Sequence, residues 1–257
     1  MSSTDPRVTV VTGGASGIGR ALCELVASRG EHAVAVDRDT EQLEWTETVD
    51  GVAAYVADIS VEGSNEGMVA FAVEQFGGVD AVALNAGIDM VAMVDDMSMD
   101  GLDHLLSINL RGVVLGVRAA LPPLRQRGGG AIVMTSSMGG IVGQVGRSAY
   151  GIAKAGVINL AKTVALEVGY EDIRINAVCP GPIQDTGLSR GVETRAPEAY
   201  RRYANQTALK RYGTAEEVAA VMDFLLSPAA SYVTGTAVVV DGGFTAGQAL
   251  DQPRGNL

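Results

Sequence analysis

The chain is poor in the residues that build metal sites, disulfide frameworks and nucleic-acid surfaces. Its 257 residues include only two cysteines, Cys23 and Cys179, and two histidines, His32 and His104. These four are scattered and match no metal-ligand spacing, so a metal centre is not expected. A disulfide is unsupported and a reducing compartment is the default. Basic residues are outnumbered, 19 Lys and Arg against 30 Asp and Glu, for a net charge of −11. Such a surface repels phosphate backbones, so nucleic acid is not an expected partner, and no basic cluster offers itself to a membrane surface. The opening "MSSTDPRVTVVTGG" has no basic stretch leading into an apolar run, so no secretory leader is expected. No apolar stretch approaches the length of a membrane span. The resulting expectation is a soluble cytoplasmic protein that binds a small molecule.

What is present points to a sizeable core. Apolar residues make up 47% of the chain and charged residues 19%, a balance that excludes disorder. Thirty-three glycines imply many tight turns and close backbone approaches. Short β-branched runs alternate with longer helical patterns. Strands are expected at 8–12, 32–37, 53–58, 80–87, 131–137, 173–181 and 237–243. Helices are expected at 17–30, 66–78, from 102 until Pro122 and Pro123 bend or end it, at 148–169 and at 214–228. Alternation of this kind implies parallel pairing with right-handed crossovers, and apolar rather than alternating runs imply strands buried on both faces. The expected fold is therefore a doubly wound, Rossmann-type parallel α/β sheet of about seven strands. No linker divides it, so residues 1–257 form one expected domain, with an insertion of mixed polarity at about 184–212.

Two patterns carry chemistry. The first strand runs straight into "TGGASGIG" (12–19), where Gly13, Gly17 and Gly19 open a helix. Glycines there let backbone approach a pyrophosphate, and the helix N-terminus supplies N–H donors and a positive dipole. Asp37 ends the second strand 20 residues after Gly17, where a ribose 2′-hydroxyl needs an acceptor. The second pattern is "SAYGIAKAG" (148–156), which sets Tyr150 and Lys154 one helical turn apart on one face.

Taken with "NAG" (85–87), Ser137, "YGIAK" (150–154), "PG" (180–181) and "VDGG" (240–243), these motifs resemble the short-chain dehydrogenase/reductase family along nearly the whole chain. The resemblance implies that Tyr150 is the catalytic acid/base. Lys154 would lower its pKa and bind the nicotinamide ribose, Ser137 would hold the substrate oxygen, and Asn109 in "INLRG" would position a water leading to the lysine. Ser136 fits the serine position less well by spacing. NAD is the implied cofactor, in contact with Gly13, Ser16, Gly17, Ile18, Gly19, Asp37, Asp58, Ile59, Asn85, Gly87, Pro180, Gly181 and Ile183 besides Tyr150 and Lys154. Within that set Asp58 would accept from the adenine amine, Asn85 would wall the adenosine, and Ile183 would meet the carboxamide through its backbone. The family also implies a homotetramer, since the helix at 148–169 carries apolar residues or alanines on nearly every face.

The sequence departs from the family after "PG". The run is "PGPIQDTGL", with Asp185 where a threonine is usual and Thr186 one later; either the loop shifts by one residue or Asp185 takes the place.

A free phenol titrates near ~10, and a nearby ammonium or an oxidised nicotinamide ring favours the phenolate. The expected reaction is hydride transfer between NAD and a secondary alcohol or ketone. The substrate pocket would be formed by 138–146, 88–97 and 184–212, with Gln144 as its polar contact beside Ser137 and Tyr150. Because these segments are mostly apolar, a hydrophobic or cyclic substrate is preferred. The rivals are an NADPH-dependent ketone or 3-oxoacyl-thioester reductase, disfavoured by Asp37, and a non-catalytic nucleotide sensor or scaffold, disfavoured by the intact Ser–Tyr–Lys–Asn set. Other residues take plainer readings. The Met-rich run at 88–99 is packing before pocket, His104 is half-buried, Trp45 covers helix surface, Cys179 is a small strand residue, and Arg38 either stacks on adenine or is solvated.

Overall fold

Seven β-branched runs form one parallel sheet in the order β3-β2-β1-β4-β5-β6-β7. The computed structural model describes residues 6–187, 189 and 192–247. The strands are β1 (Val8–Thr12), β2 (His32–Asp37), β3 (Val52–Val56), β4 (Ala81–Leu84), β5 (Gly130–Thr135), β6 (Ile173–Pro180) and β7 (Ala237–Val240). The chain winds outward from β1 to β3, then crosses back to β4 and winds the other way. The order therefore reverses between β1 and β4, and loops leaving the carboxyl ends of those strands diverge to leave a crevice.

The two faces of the sheet are sized differently. One face carries Val10, Val34, Val36, Val82, Leu84, Ile132 and Met134 against α2 (Glu62–Phe76), α4 (Val113–Arg127) and α5 (Ser148–Val168). The other carries Ala33, Ala35, Ala81, Ala83 and Ala131 and takes α1 (Gly17–Ala27) and α8 (Ala215–Leu226). Alternate side chains of a strand point to opposite faces, so an alanine at every second position lets the second helical layer sit close. α8 starts with a full capping box, Thr214 accepting from the Glu217 N–H while the Glu217 carboxylate accepts from the Thr214 N–H.

Several boundaries differ from expectation. β4 stops at Leu84 and β5 at Thr135, so Asn85–Gly87 and Ser136–Ser137 lie in loops at the crevice. α2 begins at Glu62, one turn earlier than its apolar spacing suggests. Pro122 and Pro123 do not end their helix, which runs on to Arg127 and stops at Gly128 with φ +83°. That helix is built from α3 (Met99–Leu106), a wider π turn (Ser107–Gly112) and α4 in unbroken succession. Over Met99–Arg127 it is long and apolar enough by length and composition to cross a membrane, contrary to expectation. Its most apolar stretch, of mean hydropathy 1.3, is 56% buried within the protein, because it is a layer of the core. The outward side of α5 is mixed rather than apolar, with Ile152, Ala155, Asn159, Lys162 and Leu166 exposed together. His104 is exposed rather than half-buried. The 184–212 segment contains the short α6 (Val192–Arg195) and α7 (Pro197–Gln206), as its mixed polarity suggested.

Candidate active site

The crevice is a cavity of about 440 Å³ running from the glycine turn after β1 to the N-terminal half of α5. That volume lies in the range that holds a small-molecule ligand.

At one end the turn is shaped by backbone alone. Gly13 and Gly17 adopt φ +70° and +53°, a left-handed region open to glycine. A Cβ on Gly19 would lie 2.1 Å from the Gly13 carbonyl oxygen, and one on Gly14 would lie 2.8 Å from Ala35 Cα. Glycine at these positions lets turn, helix and strand close on one another, leaving Gly13, Ser16, Gly17 and Ile18 on the cavity wall. Gly19 itself is buried behind the turn. The Asp37 carboxylate accepts from Ala15 N–H at 3.3 Å and from Asp39 N–H at 3.2 Å, which leaves lone pairs free toward the cavity. Arg38, Asp39 and Gln42 form the rim beside it.

Polar side chains brace the strand ends behind this wall. Thr12 Oγ1 accepts from the N–H groups of Asn85 (2.9 Å) and Ala86 (3.1 Å), and Asn85 Oδ1 accepts from Thr135 Oγ1 at 3.1 Å. Asn85 thus ties β1, β4 and β5 together as well as lining the cavity. Asp58 lies off the wall, between Ala57 and Ile59, which line it. Its Oδ1 accepts from the Ser60 N–H and hydroxyl, and those hydrogen bonds hold its carboxyl below the usual range.

At the other end α5 presents Tyr150 and Lys154, only 6% and 3% exposed. Lys154 Nζ donates to the Thr135 carbonyl at 2.8 Å and sits 5.6 Å from the centre of the Tyr150 ring. Burial lowers the Lys154 pKa to about 8, partly opposed by Cys179 and Asp89. Burial raises that of Tyr150; the Ser137 hydroxyl and the Arg147 guanidinium pull it down, and Asp89 pushes it up. In the chain alone, desolvation therefore outweighs the acidification that the neighbouring ammonium was expected to bring. Ser136 and Ser137 divide as their spacing suggested. Ser136 Oγ donates to the Lys154 carbonyl at 2.7 Å and so ties β5 to α5, whereas the Ser137 side chain faces Tyr150.

Asn109 lies within the π turn, is fully buried, and does not line the cavity. The extra residue in such a turn rotates a side chain out of α-helical phase. Here Asn109 Nδ2 donates to the Ile88 carbonyl at 2.7 Å and Oδ1 accepts from the Ile88 N–H at 2.8 Å. A Cβ on Gly87 would lie 3.2 Å from Asn109 Oδ1 and 3.4 Å from Lys154 Nζ, so Gly87, Asn109 and Lys154 meet at one point.

After β6 it is Thr186, not Asp185, that reaches the cavity. Asp185 is exposed with φ +54°, while Thr186 lines the cavity against Gly17. Pro180, Gly181 and Ile183 line it as expected, and Ile183 is held by a parallel bridge to Gly213. Of the 88–97 run only Ile88 reaches the cavity; Met90 and Met97 pack against Leu105 and Tyr150, the packing reading given above.

Sequence reasoning did not single out Arg147, Tyr203 or Tyr212, all of which line the cavity. Arg147 lines the cavity, lies 5.8 Å from the centre of the Tyr150 ring and pairs with Asp89 at 2.9 Å. A signal existed, since Arg147 is the sole charged residue between Arg127 and Lys154. Tyr203 and Tyr212 also line it; Tyr212 stacks on Tyr200 at 4.1 Å, and its pKa is pushed up to about 12, chiefly by burial. No periodicity marks that pair, because they come from α7 and a following loop.

Comparison with known proteins covers the same span. The family model described as enoyl-(acyl carrier protein) reductase matches residues 13–245. Levodione reductase of Leifsonia aquatica is 40% identical, over 93% of this chain and 94% of that protein. The 2-(R)-hydroxypropyl-CoM dehydrogenase of Xanthobacter autotrophicus is 36% identical over 93% and 99%. The 3-oxoacyl-[acyl-carrier-protein] reductase of Thermotoga maritima is 36% identical over 92% and 97%. A crystal structure of levodione reductase superposes with a TM-score of 0.87 at 39% identity, covering 95% of this chain and 99% of the other.

Proposed function

The chain belongs to the short-chain dehydrogenase/reductase family, and from that premise we propose that it oxidises a secondary alcohol, or reduces the matching ketone, with NAD(H) as cofactor. Membership makes it an oxidoreductase that works with a nicotinamide cofactor on alcohol or ketone groups. One observation carries the finer reading: a single cavity joins the glycine turn and Asp37 at one end to Ser137, Tyr150 and Lys154 at the other.

The residues fit the cofactor. The glycine cradle offers helix N-terminal N–H groups to a pyrophosphate, and the free lone pairs of Asp37 suit ribose hydroxyls. Asp39 adds a second carboxylate to that rim, its pKa lowered by hydrogen bonds from Gln42, and Arg38 is the one cation there among the described residues. A 2′-phosphate would face two acids and one base, which favours NAD over NADP. Lys154 and the Thr186 side of the wall would hold the nicotinamide end.

When bound, the nicotinamide supplies the hydride chemistry. Ser137 donates to the substrate oxygen and steadies its changing charge. Tyr150 moves the proton at that oxygen; Lys154, one helical turn away, supplies positive charge, its Nζ fixed by the hydrogen bond it donates to the Thr135 carbonyl. Asn109 braces the Ile88 backbone so that the floor of the site keeps its shape. Tyr203, Tyr212 and Ile88 supply an apolar and aromatic wall, which favours a hydrophobic or cyclic substrate.

The test is reduction of NAD by a panel of secondary alcohols, read at the absorbance of the reduced cofactor. Tyr150→Phe keeps the ring and removes the titratable oxygen. Its rate is expected to fall by ~10²–10⁴, with NADH binding retained. A near wild-type rate in that variant would refute the assigned role.

A further inference from the structure

The Gln144 side-chain oxygen is buried and has no hydrogen-bond partner in the protein. It also points at the reacting end of the cavity. A Cβ placed on Gly139 would lie 2.9 Å from Gln144 Oε1, 3.5 Å from Ser137 Oγ and 3.5 Å from Tyr150 Cδ1. The unpaired carbonyl, the serine hydroxyl and the tyrosine ring therefore surround one small volume. A buried acceptor without a donor is unfavourable and rare in native structures, so such an atom at a ligand cavity marks where a ligand supplies the donor.

The nearest charge makes that ligand group neutral. Arg147 lines the same region, but its guanidinium is already paired with Asp89 at 2.9 Å. A substrate carboxylate or sulfonate would have to share that guanidinium with Asp89, and would bring acceptors, not donors, to the Gln144 oxygen. A hydroxyl meets the requirement. With the carbinol oxygen within hydrogen-bond distance of Ser137, a hydroxyl on the adjoining carbon lies about 3 Å further on, within the reach of Gln144.

Building on the dehydrogenase reading above, we infer that the substrate is a neutral vicinal diol, or in the reverse direction an α-hydroxyketone, whose second hydroxyl donates to Gln144. In the oxidation the carbinol C–H leaves as hydride to the nicotinamide, its O–H proton leaves to the Tyr150 oxygen, and the C=O bond forms. The second hydroxyl is unchanged, so Gln144 acts by recognition alone.

The experiment measures kcat/KM with NAD for cyclohexanol, the cis and trans 1,2-cyclohexanediols and the two 2-methoxycyclohexanols, in wild type and in Gln144→Met. The methoxy ethers keep the second oxygen but lose its proton, so they isolate the donor. At least one diol is expected to exceed both cyclohexanol and its own ether by tenfold or more in wild type, since a site with a buried polar group discriminates against an analogue that leaves it unpaired. In Gln144→Met that ratio is expected to fall to within threefold of unity. Equal efficiency for diol and cyclohexanol, or for diol and ether, in wild type overturns the inference and leaves the dehydrogenase reading standing. That comparison holds even should the variant fail to fold. A diol preference retained in Gln144→Met overturns the role of Gln144. No turnover of any alcohol with NAD or NADP, and no reduction of cyclohexanone or 2-hydroxycyclohexanone with NADH or NADPH, overturns the dehydrogenase reading itself and this inference with it.

Discussion

At the glycine-turn end of the cavity, backbone packs on backbone; at the tyrosine end, side chains from separate segments meet across loops. The difference appears in the glycines. Cβ atoms on Gly14, Gly19 and Gly181 would fall 2.8 Å or less from a neighbouring backbone atom. Beside Lys154 the backbone is tight at one point only, where a Cβ on Gly140 would lie 2.7 Å from the Lys154 carbonyl carbon; Gly143, in the segment that borders the tyrosine end, and Gly187, in the loop after β6, would meet nothing within 4 Å. The first end binds by a shape that few sequences can make. The second end is bounded by segments in which side chains can change without breaking the fold, which is how one scaffold serves many substrates.

That contrast is open to direct attack. The largest effect is expected from Gly19→Ala, whose methyl would lie 2.1 Å from the Gly13 carbonyl oxygen. Overpacking backbone against backbone should cost ~3 kcal/mol or more, read as a lowered melting temperature and a weakened NADH fluorescence titration. Gly143→Ala and Gly187→Ala should stay within about 0.5 kcal/mol of wild type. Equal melting of all three would erase the distinction.

Next in size is Lys154, because the tyrosine end buries a charge that the turn does not. Its native pKa is lowered to about 8, whereas the unfolded chain holds that proton to about 10.5. Below pH 8 the native state carries the full desolvation penalty. Between 8 and 10.5 the unfolded state binds the extra proton, so native stability rises with pH relative to a Lys154→Met control, by at most ~3 kcal/mol. Denaturant unfolding of both proteins from pH 7 to 10.5 checks this; a difference that stays flat would show that the ammonium is not desolvated.

Asp37→Ser tests whether selectivity belongs to the turn end. The wild type should favour NAD over NADP by more than tenfold in kcat/KM, and the variant should lose most of that bias, with Asp39 keeping some of it. An unchanged ratio would place the discrimination elsewhere on the rim. The smallest effect is expected from the Asp89–Arg147 pair. Asp89 raises the Tyr150 pKa and Arg147 lowers it, so the pH at which alcohol oxidation rises should move down in Asp89→Asn and up in Arg147→Met. Displacement of both pH profiles in the same direction would mean that the pair acts by packing alone.

Much of this was legible in one dimension. Strand and helix order, the parallel sheet, the glycine turn and the Tyr150–Lys154 spacing follow from local rules: apolar runs, Gly breaks and the pitch of a helix. Those rules act within a few residues, so sequence carries them in full. Boundaries slipped where tertiary packing overrode them. Pro122 and Pro123 stay inside a helix held along its length by the sheet.

What tertiary structure alone decided is the set of meetings between distant segments. Residue order says nothing of the π turn that brings Asn109 to Ile88, of Asp89 clasping Arg147, of Thr186 rather than Asp185 reaching the wall, or of Tyr203 and Tyr212 closing the far side. The unpaired oxygen of Gln144 is of the same kind. Whether a polar atom is satisfied depends on every neighbour packed around it, and those neighbours are set by the fold and not by the sequence on either side.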